Sequence, residues 1–360
     1  MTTMNPGAWA GRRVLVTGHT GFKGSWLALW LSRLGAVVTG LSDCVPTEPS
    51  LYELAGVGEC VTSLRGDVAD PGILADVVED ARPSVVFHLA AQPLVRASYD
   101  DPVSTFRTNV LGTVYALEAA RLASKPVDAV VVVTTDKCYE NRAWEHGYRE
   151  TDRLGGRDPY SASKAAAEIV TRSYREALVS SVGLPSIVSV RAGNVIGGGD
   201  WATDRLIPDI VRAVASPEAR VVLRNPNAHR PWQHVLDCLA GYLLLTERLL
   251  ADPGLAGPWN FGPDVARSAT VEQVVTHFVD RLGQEVDIRV EADQNRHEEL
   301  LLSLDASRAR RRLGWEPRLS LEEAVVSTAD WYAAHLDGQD ARTLTEDQII
   351  KYEARLELND

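Results

Sequence analysis

Tyr160 and Lys164 stand four positions apart in the run Tyr160-Ser161-Ala162-Ser163-Lys164, a spacing that puts both side chains on one face of a helix. A free phenol ionises near pH ~10 and is a poor base at neutral pH. An ammonium beside it favours the phenolate, and bringing that pKa to ~7 takes roughly 4 kcal/mol of differential stabilisation. A phenolate of that kind can take the proton of a sugar hydroxyl while an acceptor takes the hydride from the same carbon. Tyr-x-x-x-Lys also arises by chance in many helices, so the pair gains meaning only from the motifs around it.

The first of these lies near the start of the chain. Val14-Leu15-Val16-Thr17 runs into Gly18-His19-Thr20-Gly21-Phe22-Lys23-Gly24 and a helix predicted to begin near Ser25. Gly18 permits a tight turn, Gly21 lets the backbone approach a pyrophosphate, and Gly24 lets helix and strand pack closely. The helix N-terminus then offers free N–H groups and the positive end of its dipole to an anion. Strand, glycine turn and helix in that order read as a dinucleotide site rather than a bare loop. The G-x-x-G-x-x-G spacing points to the short-chain dehydrogenase branch of Rossmann proteins. His19 and Lys23 bring basic character to the turn; Lys23 is either a phosphate contact or a solvated surface lysine. An acid at the end of the second strand would repel a 2′-phosphate and favour NAD over NADP, and Ser42 and Asp43 stand there. NAD is therefore the expected cofactor. Asp67-Val68 follow the third strand and either hold the adenine edge or cap a turn.

In open α/β sheets the carboxyl ends of the strands line the active crevice. His88-Leu89-Ala90-Ala91-Gln92 ends one strand in small residues, leaving Leu89, Ala90 and Ala91 room for a nicotinamide ribose or pyrophosphate. Asn109 follows on a helix that could carry its amide back to the site. Thr134-Thr135-Asp136-Lys137 ends the next strand, where a substrate would meet the cofactor. Consecutive strand residues point to opposite faces, so aiming both Asp136 and Lys137 inward needs a bend after Asp136. The alternative for these two is a plain ion pair at a strand end.

The elements that must position these groups alternate through the first half. Arg13 to Val16, Val37 to Leu41, Val61 to Arg65, Val85 to Leu89, Ala129 to Thr134 and Ser186 to Arg191 read as strands. Their apolar runs lack alternation and suit a parallel sheet covered on both faces. Helical patterns lie between them, at Gly24 to Leu34, Pro71 to Asp80, Val103 to Leu122 and Tyr160 to Leu178. The expected fold is α/β, a doubly wound Rossmann-type parallel sheet with a smaller C-terminal α/β substrate lobe. Residues 11–192 form the predicted NAD-binding domain, with 235–262 returning to it through a Val235 to Leu250 helix and a Trp259 to Phe261 strand. Residues 193–234 and 263–360 form the predicted substrate-binding lobe, ending in a polar helix from Thr345 to Leu356.

At 360 residues the chain exceeds one ordinary core. Its apolar content of 45%, charged content of 24% and net charge of −12 describe a globular protein with neither a nucleic acid nor an anionic membrane as partner. Cys44, Cys60, Cys138 and Cys238 lack C-x-x-C spacing and read as reduced thiols of a cytoplasmic protein. No secretory h-region precedes Ala10, and no metal site is expected.

Taken together, these motifs resemble the extended short-chain dehydrogenase/reductase superfamily and, within it, the CDP-glucose 4,6-dehydratase family. The similarity spans nearly the whole chain. It is carried by the 18–24 turn, His88 to Arg96, Asp136-Lys137-Cys138-Tyr139, Asp158 to Lys164, Arg191 to Trp201 and Arg230-Pro231-Trp232-Gln233-His234-Val235. Its most discriminating mark is Lys137, because the related dTDP-glucose enzymes carry Asp-Glu where this chain has Asp-Lys. The resemblance implies that Lys164 lowers the pKa of Tyr160 and holds the nicotinamide ribose, and that Tyr160 takes the C4 hydroxyl proton with Thr135 on the same oxygen. It also implies that Lys137 removes the C5 proton and Asp136 protonates the departing C6 hydroxyl. Gln92, Asn194, Trp201, Arg230 and His297 are the implied substrate contacts, with CDP-glucose as substrate and the 197–199 glycines closing over it. Arg230 is otherwise a surface salt bridge. Where the family has Pro-His-Glu this chain has Arg296-His297-Glu298, and its Lys near Ser303 is missing, which leaves contacts of the last lobe open. A homodimer or homotetramer is implied, through the Val103 and Tyr160 helices. The competing readings are a nucleotide-sugar 4-epimerase, a dehydratase of another nucleotide hexose, and a non-catalytic NAD-binding regulator.

Overall fold

The apolar runs come together because most are buried on both faces, as the five consecutive buried residues of Ala129–Val133 illustrate, while the edge strand Thr62–Arg65 stays largely exposed. The protein is seen here as a computed structural model that describes residues 5–178, 185–216, 220–223, 225–264, 269–284, 286–291 and 302–357. Its main sheet contains β1 (Arg13–Thr17), β2 (Val37–Ser42), β3 (Thr62–Arg65), β4 (Val85–His88), β5 (Ala129–Val133), β6 (Ser186–Arg191) and β7 (Gly257–Asn260). The strand order is β7-β6-β5-β4-β1-β2-β3, with every pairing parallel. The chain reverses its winding between β1 and β4, so the crevice at a topological switch point lies above their carboxyl ends. β7 pairs with β6 from Gly257↔Val188 to Asn260↔Arg191, adding a late segment to the edge of the sheet.

Helices cover both faces. They include α1 (Phe22–Arg33), α2 (Pro71–Ala81), α3 (Gly112–Leu122), α4 (Pro159–Leu178), α5 (Leu206–Val214), α6 (Val235–Ala251), α7 (Val271–Leu282), α8 (Leu321–Leu336) and α9 (Ala341–Glu357). α1 starts at Phe22 rather than near Ser25, because Gly21 is already its N-cap in extended conformation. The predicted Val103 to Leu122 helix is broken into a short helix Pro102–Phe106, a π-turn Arg107–Leu111 and α3. Such turns lack a periodicity signature, and they recur at functional positions. This one carries Asn109.

A smaller parallel pair, Arg220–Leu223 with Asp287–Val290, stands apart from the main sheet beside α5. The C-terminal helix α9 is more than a polar tail. Trp30 Nε1 donates to Glu353 (2.9 Å) and the Tyr352 hydroxyl to Asp237 (2.7 Å), fastening α9 to α1 and α6. Among the described residues no helix is long and apolar enough to cross a membrane.

Candidate active site

A continuous cavity of about 1140 Å³ runs along the carboxyl edge of the sheet and out between the main sheet and the later segments. Its first wall is the glycine turn. A Cβ on Gly24 would meet the Gly18 carbonyl oxygen at 2.0 Å, and one on Gly18 would meet the Ala90 nitrogen at 2.7 Å. Turn, helix and the β4 loop therefore approach backbone to backbone, leaving a cradle of the kind a pyrophosphate needs. Gly18, Gly21, Phe22, Lys23 and Gly24 all line it.

His19 corrects the sequence reading. Its ring is buried under Gly40 and hydrogen-bonded to Ser42 Oγ (2.9 Å) and Ser63 Oγ (2.7 Å). Burial pushes its pKa down to about 4, so it adds no positive charge to the turn. Ser42 is correspondingly committed, since its hydroxyl also accepts from Thr20 N (3.3 Å). Lys23 is half-buried rather than solvated, directed towards the Cys238 thiol and close enough to Lys164 to disfavour its charge. Asp67 and Val68 line the far end, and Asp67 both accepts from Ala69 N (2.8 Å) and pairs with Arg107 (3.0 Å).

The second wall is the β4 loop. Leu89, Ala90, Ala91 and Gln92 line the cavity, but the Gln92 amide is spent within the protein, donating to Leu94 O (3.1 Å) on its own loop and to Thr105 Oγ1 (2.9 Å) on the Pro102–Phe106 helix. Asn109 does not reach the cavity, contrary to its expected cofactor contact. The π-turn directs its buried amide to Gln92 O (3.1 Å) and Ser163 Oγ (2.8 Å), and it accepts from Gln92 N (2.8 Å). Asn109 thus ties the β4 loop to α4, one residue from Lys164.

The third wall holds the reactive groups. β5 ends at Val133, and Asp136–Cys138 form a single 3₁₀ turn capped by Thr135, whose Oγ1 accepts from Lys137 N (3.3 Å). That turn supplies the bend the sequence required: Thr135, Asp136, Lys137, Tyr160 and Lys164 all line one cavity. Thr135 donates to Asp136 Oδ1 (2.9 Å). Asp136 Oδ2 is buried without a partner and lies over Gly193, where a Cβ would stand 1.9 Å from it. No hydrogen bond or ion pair joins Asp136 to Lys137 among the described residues, so the ion-pair alternative does not apply.

Tyr160 and Lys164 differ from the expectation. Burial pushes the phenol up to about 12, offset in part by a hydrogen bond with Thr135 and the charge of Arg205. Lys164 Nζ donates to Val133 O (3.1 Å), and burial together with Lys23 pulls its pKa down to about 8.

Asn194, Trp201 and Arg230 line the outer part of the cavity. Asn194 adopts φ 47°, Trp201 packs edge-on against Tyr332 at 5.4 Å, and Arg230 donates to His229 O (3.1 Å). The 197–201 segment is held rather than loose: Trp26 Nε1 donates to Gly198 O (3.0 Å) and the Tyr332 hydroxyl to Asp200 O (2.5 Å). His297 lies outside the described residues. Sequence reasoning missed Arg205, paired with Asp200 at 2.8 Å, and the Arg96–Asp204 bridge (3.5 Å). It also missed Gly193 as the floor under Asp136. None of these has a local pattern that marks it.

The sheet order, the glycine cradle and the Tyr160/Lys164 helix define an extended short-chain dehydrogenase/reductase. The profile of the GDP-mannose 4,6 dehydratase family matches residues 15–328, and the chain belongs to that family. It is 44% identical over 349 residues to the CDP-glucose 4,6-dehydratase of Salmonella typhimurium, covering 96% of this chain and 97% of that one. It is 28% identical to a dTDP-glucose 4,6-dehydratase of Xanthomonas campestris, over 88% of this chain and 92% of that one. Among solved structures, the dTDP-glucose 4,6-dehydratase DesIV of Streptomyces venezuelae, with NAD bound, is similar at TM-score 0.73 and 26% identity, covering 89% of this chain and 96% of that one. A UDP-glucose-4-epimerase of Stenotrophomonas maltophila shares the fold at TM-score 0.79 and 22% identity, over 91% of this chain and 100% of that one.

Proposed function

We propose that this chain converts CDP-glucose to CDP-4-keto-6-deoxyglucose by an internal oxidation, loss of water and reduction, with NAD recycled in each turnover. One observation carries the choice of dehydration over epimerisation. Asp136 and Lys137 face the same cavity as Tyr160 without pairing to each other. An epimerase needs the Tyr160/Lys164 pair but no second acid and base.

The cradle of Gly18, Gly21 and Gly24 would hold the pyrophosphate, with Lys164 on the nicotinamide ribose. NAD⁺, when bound, would supply the hydride acceptor for C4 oxidation and the hydride donor for C6. Tyr160 takes the C4 hydroxyl proton while Thr135 hydrogen-bonds that oxygen. The C4 ketone acidifies the C5 proton, because the resulting carbanion is an enolate. Lys137 removes that proton, and Asp136 protonates the C6 hydroxyl as its C–O bond breaks, so that water leaves. A proton returns to C5. Asp136 must carry a proton for this role. Asn194, Trp201 and Arg230 are assigned to the nucleotide sugar, and His297 belongs to the same reading.

We further take the protein to be a cytoplasmic homo-oligomer. Its four cysteines are free, and Val103, Leu122 and Ile169 expose apolar side chains on the helices named for the interface. Incubation with CDP-glucose tests the proposal: a 4-keto-6-deoxy nucleotide sugar is expected. Release of the C4 epimer alone would overturn it.

A further inference from the structure

Beneath the reactive wall lies a buried charged cluster that the chemistry above does not use. Arg191, at the end of β6, donates from Nε to Glu168 Oε1 (2.9 Å) and from Nη2 to Glu168 Oε2 (2.7 Å). Both side chains are almost wholly buried, at 3% and 2% exposure. Glu168 also accepts from Thr134 Oγ1 (2.5 Å) and Ser189 Oγ (2.7 Å). Burial alone would raise the Glu168 pKa, but Arg191 and these donors hold it below the ordinary carboxylate value.

The remaining nitrogen of the fork reaches further. Arg191 Nη1 donates to the Tyr139 hydroxyl (2.6 Å) and to Glu150 O (3.2 Å). The Tyr139 hydroxyl donates in turn to Asn260 Oδ1 (2.8 Å), at the end of β7. Asn260 Nδ2 completes the chain to Tyr148 O (2.8 Å) and Asp305 O (3.2 Å). Three members of the cluster stand beside reactive groups. Thr134 adjoins Thr135, Tyr139 follows the Asp136–Cys138 turn, and Glu168 lies one helical turn beyond Lys164 on α4.

We propose that Glu168 and Arg191 are positioning residues that fix the Asp136–Lys137 turn against the Tyr160–Lys164 helix. This rests on the dehydratase reading above. The pair sets the separation between the groups that oxidise C4 and those that expel water, so its loss uncouples the two half-reactions. A bidentate pair suits that task, because its geometry is fixed in plane and in distance.

Removing one partner would strand a buried charge, so the test removes both. Glu168→Met/Arg191→Met replaces the pair by apolar side chains, a change that buried pairs often tolerate. In that variant kcat with CDP-glucose falls by about 100-fold, the loss expected of a misplacement near 1 Å. The dissociation constant for NAD and the melting temperature stay near those of the parent, and reduced nicotinamide builds up because C4 oxidation continues. Tyr139→Phe removes the hydroxyl that links Arg191 Nη1 to Asn260 Oδ1, leaves the Glu168 fork in place and gives a smaller loss of the same kind. A folded double variant with kcat within twofold of the parent overturns the proposal. So does a loss of kcat that merely follows falling NAD affinity or melting temperature. If the parent itself forms no keto sugar, the substrate reading has failed rather than this one, and the same two variants are then compared by C4 oxidation alone.

Discussion

Two acid–base pairs sit on neighbouring parts of this fold and are treated in opposite ways. Glu168 and Arg191 are fully engaged, with both carboxylate oxygens accepting and all three guanidinium nitrogens donating. Asp136 and Lys137 are adjacent in the chain yet unbridged, and Asp136 Oδ2 has no partner. A buried pair that spends every hydrogen bond gives rigidity and a fixed protonation state. A pair kept apart retains groups able to give and take protons. The difference arises from backbone: the 3₁₀ turn at Asp136–Cys138 and the bare floor at Gly193 hold the second pair open.

The sharpest way to break this contrast is at its boundary. Tyr160→Phe removes the group proposed to start the cycle and should lower turnover by ~10³-fold or more, within the range of lost general base catalysis. NAD affinity, measured by titration, should stay nearly unchanged; loss of both together would make Tyr160 a binding residue. Lys137→Ala should come next, losing about 10²-fold in product formation while C4 oxidation persists and reduced nicotinamide accumulates. Unimpaired product formation would remove Lys137 from the chemistry.

Asp237 sharpens the contrast from outside the cavity. It too has a buried, partnerless Oδ2, although its Oδ1 accepts from Tyr352 and Arg318 N (2.6 Å). Burial pushes its pKa from 3.8 up to about 6. Below pH 3.8 the folded and unfolded forms are both protonated, and the group exerts no penalty. Between 3.8 and about 6 the unfolded form has lost a proton that the native form keeps, so stability falls as pH rises. The penalty reaches up to roughly 3 kcal/mol at neutral pH. Asp237→Asn should therefore raise the melting temperature at pH ~7, with the gain vanishing below about pH 4. An equal gain at both pH values would mean the carboxyl does not titrate as described.

Much of this fold could be read in advance because its signals are local. Continuous valine runs announced the parallel sheet, and strand, glycine turn and helix announced the cradle. The residues of the reactive wall were also legible, since each sits at a strand end or on one helical face. What escaped was whatever depends on burial or on distant partners. His19 looks cationic in a string of letters, but it is neutral under Gly40. Tyr160 looks acidic beside Lys164 in the sequence, yet burial pushes its phenol up to about 12. Asn109 was expected at the cofactor, but an unforeseen π-turn directs it to Gln92 and Ser163. Glu168, Arg191, Tyr139 and Asn260 lie far apart in sequence, and no spacing rule connects them.

The proposal stands or falls on whether one hydrogen nucleus travels within the sugar. CDP-glucose carrying deuterium at C4 should give a product with that deuterium at C6, in unlabelled water and without added reductant. Product whose C6 carries only protium, with the label lost to solvent or to free cofactor, would contradict the internal oxidation–reduction cycle assigned to this site.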